Sequence, residues 1–240
     1  MFTVKLADLT IQINNRHSFL EEMCRDYIYD MPGNASCDFS IEITDADIEY
    51  ERSKNLCQTA FSEEYIEFIA CLRKICEQLA YFDAVMLHAA AIEMNGRGYL
   101  FSAKSGTGKS THIALWKRVF GDKVRIINGD KPIIRRKDNC FLVYGSPWCG
   151  KENMSENISA PVTSIAFLER GPENIVEKLS VADTFSKLIP MLYIPSSPDK
   201  RIKLFSIAND FAECTKAYNL ICNISEDAAK VAYGGMSDEN

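Results

Sequence analysis

The sequence lacks a C-x-x-C pair: its nine cysteines are scattered and odd in number, and none shares a zinc-site spacing with the three histidines. That pattern suits reduced thiols better than a disulfide framework; Cys71 and Cys76 fall on a predicted helix, as core filler. Positive charge is not in excess either. With 27 Lys and Arg against 33 Asp and Glu, the formal net charge is -6, which argues against a general binder of nucleic acid or anionic membrane. No long apolar run is present. The longest, "AVMLHAAAI" at 84–92, is far too short to span a bilayer. The start "MFTVKLADLT" has neither the basic residues nor the apolar run of a signal peptide, so the expectation is a soluble, cytoplasmic protein. Internal repeats and low-complexity tracts are also missing.

What remains is ordinary globular composition, 47% hydrophobic and 25% charged, over 240 residues. This fits one large domain, or a core with a small N-terminal module. The first 60 residues read as short alternating strands, "FTVKLADLTIQI" and "CDFSIEITDADIEY", joined by "DMPGNAS". A helix follows in "FSEEYIEFIACLRKICEQLAYF", with Ser62, Glu63 and Glu64 at its start. The expected division is an N-terminal α+β subdomain over 1–82, a larger core over 83–235 and a frayed tail over 236–240.

The core opens with two β-type runs around Asn95-Gly96, the favoured centre of a tight hairpin turn. The second run leads into "SAKSGTGKST", 102–111, so this strand is expected to pair antiparallel with the one before it. A two-residue turn sets His88 opposite Ala103; a four-residue loop sets it opposite Ser105. Either register brings the imidazole beside the loop. In "AKSGTGKS", Gly106 and Gly108 give the backbone freedom to turn successive N–H groups onto phosphate oxygens, although Ala103 stands where the strict pattern has its first glycine. Lys109 is positioned to neutralise β- and γ-phosphate charge, and the Ser110 hydroxyl to ligate magnesium. The helix-like "KSTHIALWKRVF" would add its positive N-terminal end. The candidate phosphate-binding residues are therefore Ser105, Gly106, Thr107, Gly108, Lys109, Ser110 and Thr111.

Beyond that helix, "KVRIINGDKPII" reads as a buried strand ending at Asp130. A carboxylate there suits a metal contact or the acceptance of a hydroxyl proton; it also suits a plain Asn-Gly-Asp turn. A hairpin with the turn "KDN" leads to "GSPWCGKE", 145–152. Lys151 is placed to reach a transferring phosphoryl group, while Trp148 either covers an acceptor or plugs the core. The basic residues from Lys117 to Lys137 form either a solvated face or an aid to anion binding. Later segments are scaffold: "VTSIAFLER" and "AYNLICNIS" as strands, "VADTFSKLIPMLY" and "PDKRIKLFSIANDFAECTK" as helices. Ser225 is expected to cap a last helix that Gly234 stops. His17 and His112 are read as structural or surface residues.

The segments "HAAAIEMNGRGYLFSAKSGTGKST", "INGDKP" and "GSPWCGKE" together resemble the bacterial HPr kinase/phosphorylase-related group, whose core is shared with ATP-dependent phosphoenolpyruvate carboxykinase. The resemblance covers about residues 85 to 233. It implies an α/β fold with a mixed β-sheet P-loop core, and an ATP- and magnesium-dependent kinase acting on a hydroxyl, serine above all, free or in a small protein or peptide. It implies catalytic roles for His88, Lys109, Asp130 and Lys151, and metal contacts at Ser110 and Asp130. A departure is Gly129, where many relatives carry a second acid. A carboxykinase-like enzyme, a non-catalytic nucleotide sensor and a peptide-tailoring kinase are the other readings. A homo-oligomer is compatible with the resemblance; the oligomeric state and ATP against GTP stay open.

Overall fold

The computed structural model describes residues 1–33, 35–54, 61–138 and 140–237. Strands β1 (Phe2–Leu6) and β2 (Leu9–Asn14) form a hairpin whose turn residues Ala7 and Asp8 both have positive φ. Alternate residues on these strands are buried, and β3 (Phe39–Glu42) adds parallel to β2. The segment after it is not strand. Asp45–Lys54 forms helix α2, which follows the short α1 (Ser18–Met23). The cause is local: Thr44 Oγ1 accepts from the Asp47 N–H, and Asp47 Oδ2 accepts from the Thr44 N–H at 3.0 Å, a reciprocal cap that starts a helix. Arg73 and Lys74 of α3 (Glu63–Leu79) then hold Asp47 in place. Ser62 caps α3 by accepting from the Tyr65 N–H.

A larger mixed sheet carries the rest. It contains β4 (Ala84–Met86), β5 (Ala89–Met94), β6 (Arg97–Ser102), β7 (Val124–Asn128), β8 (Ile133–Lys137), β9 (Cys140–Tyr144), β10 (Ser159–Arg170), β11 (Ile175–Lys178) and β12 (Lys216–Cys222). Its path runs β4-β8-β9-β10-β6-β5-β7, with β12 also on β10 and β11 on β12. The long β10 joins two parts: its first residues pair antiparallel with β9, its later ones parallel with β6 and β12. The architecture is mixed α/β. Met94 pairs with Arg97, and Asn95 and Gly96 both take positive φ, so the two-residue turn is the one formed.

Helix α4 (Lys109–Phe120) starts directly after the loop that leaves β6. It buries Ile113, Leu115 and Trp116; the Trp116 indole donates to His112 Nε2 at 3.0 Å. Burial lowers His112 to about 4, so this histidine is a neutral core residue.

Four C-terminal expectations are corrected. Helix α5 (Val181–Leu188) is shorter than expected, because Pro190 cannot donate and the chain turns into a 3-10 turn at Ile189–Met191. After α6 (Pro198–Cys214), the last helix, α7 (Glu226–Met236), runs through Gly234 instead of stopping there. Gly235 is a packing glycine: a Cβ on it would lie 2.7 Å from Val176 Cγ1. Met236, expected in a frayed tail, is fully buried, and its carbonyl accepts from Ser164 Oγ. Ser225 occupies the N-cap position, but its hydroxyl donates to Asn223 Oδ1 instead. Residues 238–240, and Asn139 of the expected "KDN" turn, lie outside the described residues; Lys137 of that turn is in β8.

One apolar cluster joins the N-terminal strands and α3 to Ala84, Met86, Ile133, Tyr144 and Trp148 of the larger part. Among the described residues no helix is long and apolar enough to cross a membrane.

Candidate functional site

The loop from 103 to 108 owes its shape to its neighbours at both ends. Ser102 Oγ donates to the His88 carbonyl at 2.9 Å, and the His88 N–H donates to the Met191 carbonyl at 2.8 Å, so the backbone at His88 is fixed from two sides. Gly106 and Gly108 have φ of 79° and 125°, which side-chain-bearing residues rarely adopt. Arg170, at the end of β10, donates from Nε to the Thr107 carbonyl at 2.9 Å and from its other nitrogen to the Gly106 carbonyl. The loop and Arg170 both line a cavity of about 460 Å³.

His88, Ser105, Gly106, Gly108, Lys109, Ser110, Thr111, Asp130 and Lys151 all line that cavity. Thr107 does not; it faces two other hollows on the far side of the loop. Lys109 Nζ lies 2.9 Å from His88 Nε2 and donates to the Ala103 carbonyl at 3.2 Å. The same His88 Nε2 is 3.2 Å from Asp130 Oδ1. One ring nitrogen cannot accept from Lys109 and donate to Asp130 at once. His88 therefore has two states: unprotonated at Nε2 and bound by Lys109, or protonated there and bound to Asp130.

Asp130 sits where it does because Asn128 folds the chain back. The Asn128 Oδ1 accepts from the N–H groups of Asp130 and Lys131, and its amide nitrogen donates to the Ser146 carbonyl at 3.0 Å. Burial pushes the Asp130 carboxyl up, but the hydrogen bond from His88 and the charge and hydrogen bond of Lys131, 2.6 Å away, outweigh it and bring it down to about 2. Lys109 is lowered from its ordinary value as well: burial lowers it, and the charge of nearby Asp130 only partly opposes this.

Gly129 has no room for a second acid. A Cβ there would lie 2.9 Å from the Cys149 carbonyl oxygen. The segment that fills this space instead brings Glu152 to the cavity; a Cβ on Gly150 would be 3.7 Å from both Glu152 Oε2 and Asp130 Cγ. Trp148 takes the core alternative, stacking on Phe68 at 5.3 Å and donating to its carbonyl at 3.0 Å. Of the basic cluster, Lys131 reaches Asp130. Lys117, Arg125, Arg135, Arg136 and Lys137 are held by carbonyls or carboxylates elsewhere.

Sequence reasoning missed Arg170, Glu152 and the pairing of Lys131. Arg170 had one available signal: it ends the strand whose parallel partner feeds the loop. We expect Arg170→Ala to weaken binding of a nucleoside triphosphate by roughly tenfold, as two charge-assisted bonds to the loop are lost. Calorimetric titration beside a thermal melt checks this; unchanged affinity would show that the loop keeps its shape unaided.

No family model matches the chain, and no curated protein matches it. Among solved structures it is similar to the HPr(Ser) kinase/phosphatase from Coxiella burnetii, with 12% identity and a TM-score of 0.30, over 52% of this chain and 87% of that one. The chemistry of the cavity rests on its own residues.

Proposed function

We propose that this protein is an ATP-dependent phosphotransferase of the HPr kinase-related type, moving the γ-phosphoryl group to a hydroxyl of serine kind. The observation that carries the reading is a chain of contacts from Lys109, at the start of α4, to His88 at 2.9 Å, and from His88 to Asp130 at 3.2 Å. A glycine-shaped loop, a helix N-terminus and a lysine suit the phosphates of a nucleotide. A carboxylate held ionised across from them suits the proton of an attacking hydroxyl. The order of histidine, loop and acidic strand end supports the family assignment and its P-loop core.

Magnesium fits the donor set. The Ser110 hydroxyl and the Asp130 carboxylate line the same cavity, and this ion commonly uses one or two carboxylates with phosphate and water for the rest. When bound there it would draw charge from the β- and γ-phosphates. The protein's own groups do the remainder. Backbone N–H groups of Ser105, Gly106, Gly108, Lys109 and Ser110, with Lys109 Nζ, hold the phosphate oxygens, and the Ser105 and Thr111 hydroxyls lie beside them. The acceptor oxygen bonds to the γ-phosphorus, the bond from phosphorus to the bridging oxygen breaks, and its electron pair leaves with ADP. Asp130, too acidic to be a strong base, orients the hydroxyl and takes its proton late in the transfer. Lys151 is placed to meet charge on the moving group.

Lys109→Ala is expected to lower ATP affinity about ten- to a hundredfold and to abolish transfer, while the fold stays intact. Titration with ATP and magnesium, followed by an assay of phosphate on serine-containing acceptors, is the test. Undiminished affinity in the variant would refute the reading.

A further inference from the structure

His88 lines a second cavity as well as the one that holds the loop. This second space, about 270 Å³, is walled by Leu72 and Cys76 of α3, by Met86 and Leu87, and by Met191 and Leu192 after α5. Its polar groups lie at one side: His88 and Lys131, the latter already bound to Asp130. Tyr193 also borders it, but its hydroxyl is within hydrogen-bond distance of Glu77 Oε1 at 3.3 Å. Among the described residues no carboxylate lines it, so none of them would meet the ammonium of a free amino acid. Lys131, the sole lysine of the lining, is turned to Asp130 and not offered to a carboxylate. The cavity thus meets His88, which also lines the loop cavity, and Lys131, which is bound to Asp130. Seven of the ten lining residues are apolar.

We propose that the phosphoryl acceptor enters through this second cavity and carries an apolar group next to its hydroxyl. A serine flanked by a leucine-sized side chain in a peptide fits; free serine does not, since it would leave the apolar walls wet. The inference rests on the phosphotransferase reading and narrows its substrate. The acceptor oxygen reaches the γ-phosphorus past His88, its proton goes to Asp130, the new oxygen–phosphorus bond forms, and the bond to the bridging oxygen breaks with its electrons going to ADP.

Three peptides test this: acetyl-Gly-Ser-Gly-amide, acetyl-Gly-Ser-Leu-amide and acetyl-Leu-Ser-Gly-amide, each assayed with ATP and magnesium for phosphopeptide. One leucine peptide should exceed the glycine peptide in kcat/KM by about tenfold or more. Leu72→Phe and Leu72→Trp, which fill the cavity from its edge, should erase that preference. Both should leave ATP affinity as in the parent protein, because Leu72 does not line the cavity at the loop. Two variants of different size, each with its melting temperature recorded, separate a filled cavity from a damaged fold. Equal kcat/KM on all three peptides, or transfer to none while ATP still binds, overturns the inference. So does a leucine preference that persists in both variants. Failure of the parent protein to bind ATP is a different result: it removes the phosphotransferase reading, and this inference with it.

Discussion

Asp130→Asn is expected to lower phosphoryl transfer about a thousandfold, within the range that a positioned proton acceptor contributes, while ATP affinity changes by less than about threefold. The substitution keeps the shape and removes the charge. An amide in place of the carboxylate also loses its acceptor at one oxygen, so it cannot serve both His88 Nε2 at 3.2 Å and Lys131 Nζ at 2.6 Å. Lys109 would keep its contacts to the Ala103 carbonyl and His88, which is why phosphate binding should persist. The sign of the pH dependence follows from the depressed carboxyl. With Asp130 at about 2 in the folded protein, its charge is present above the ordinary aspartate value of 3.8 and is lost only as pH falls through about 2. Any acid limb in the rate of the parent protein near neutrality therefore belongs to another group. Single-turnover kinetics beside ATP titration would read both effects. Equal turnover in the variant would remove Asp130 from the chemistry.

The parts of the site that were legible in the sequence are those set by local rules. Asn95-Gly96 specifies a two-residue turn, and that turn alone fixes which residue faces His88 across the hairpin. Gly106 and Gly108 announce positive φ, and Lys109 begins a helix where the pattern changes from strand to 3.6-residue spacing. Helix α2 was also written locally, in Thr44 and Asp47, but its alternating apolar residues imitate a strand and the capping pair outweighs them. Arg170 is different in kind. It reaches the Gly106 and Thr107 carbonyls only because β10 lies parallel to β6, a pairing between residues more than sixty apart that no local spacing encodes. Glu152 shares this origin: its place in the cavity follows from the close passage of 149–154 over Gly129. The second cavity draws its walls from α3, the β4 end and the turn after α5, so it exists only once all three are packed.

Trp148→Ala should produce the largest loss of stability of any single change considered, about 3–5 kcal/mol for an aromatic removed from a core. In a chain of this size that is a fall in melting temperature on the order of 10 °C. Trp148 is 5% exposed, stacks on Phe68 and donates to the Phe68 carbonyl, so deletion leaves a cavity against α3 and removes a buried bond. Trp148→Phe separates the two losses: the ring packing largely stays, the indole bond goes, and the cost should be nearer to about 1 kcal/mol. The consequence extends to the site. Ser146, two residues before Trp148, donates to the Lys131 carbonyl at 2.6 Å and accepts from Asn128, while Lys151 and Glu152, just after it, line the cavity. Trp148 thus pins to the N-terminal core the same segment that orders Asp130 and carries Lys151. A melt together with transfer kinetics distinguishes anchoring from simple filling. If Trp148→Phe keeps near-parent turnover and Trp148→Ala, assayed well below its melting temperature, loses it, the ring packed on Phe68 sets the geometry of the 145–152 segment. If Trp148→Ala melts with the parent protein, the indole is not the plug that joins the two parts.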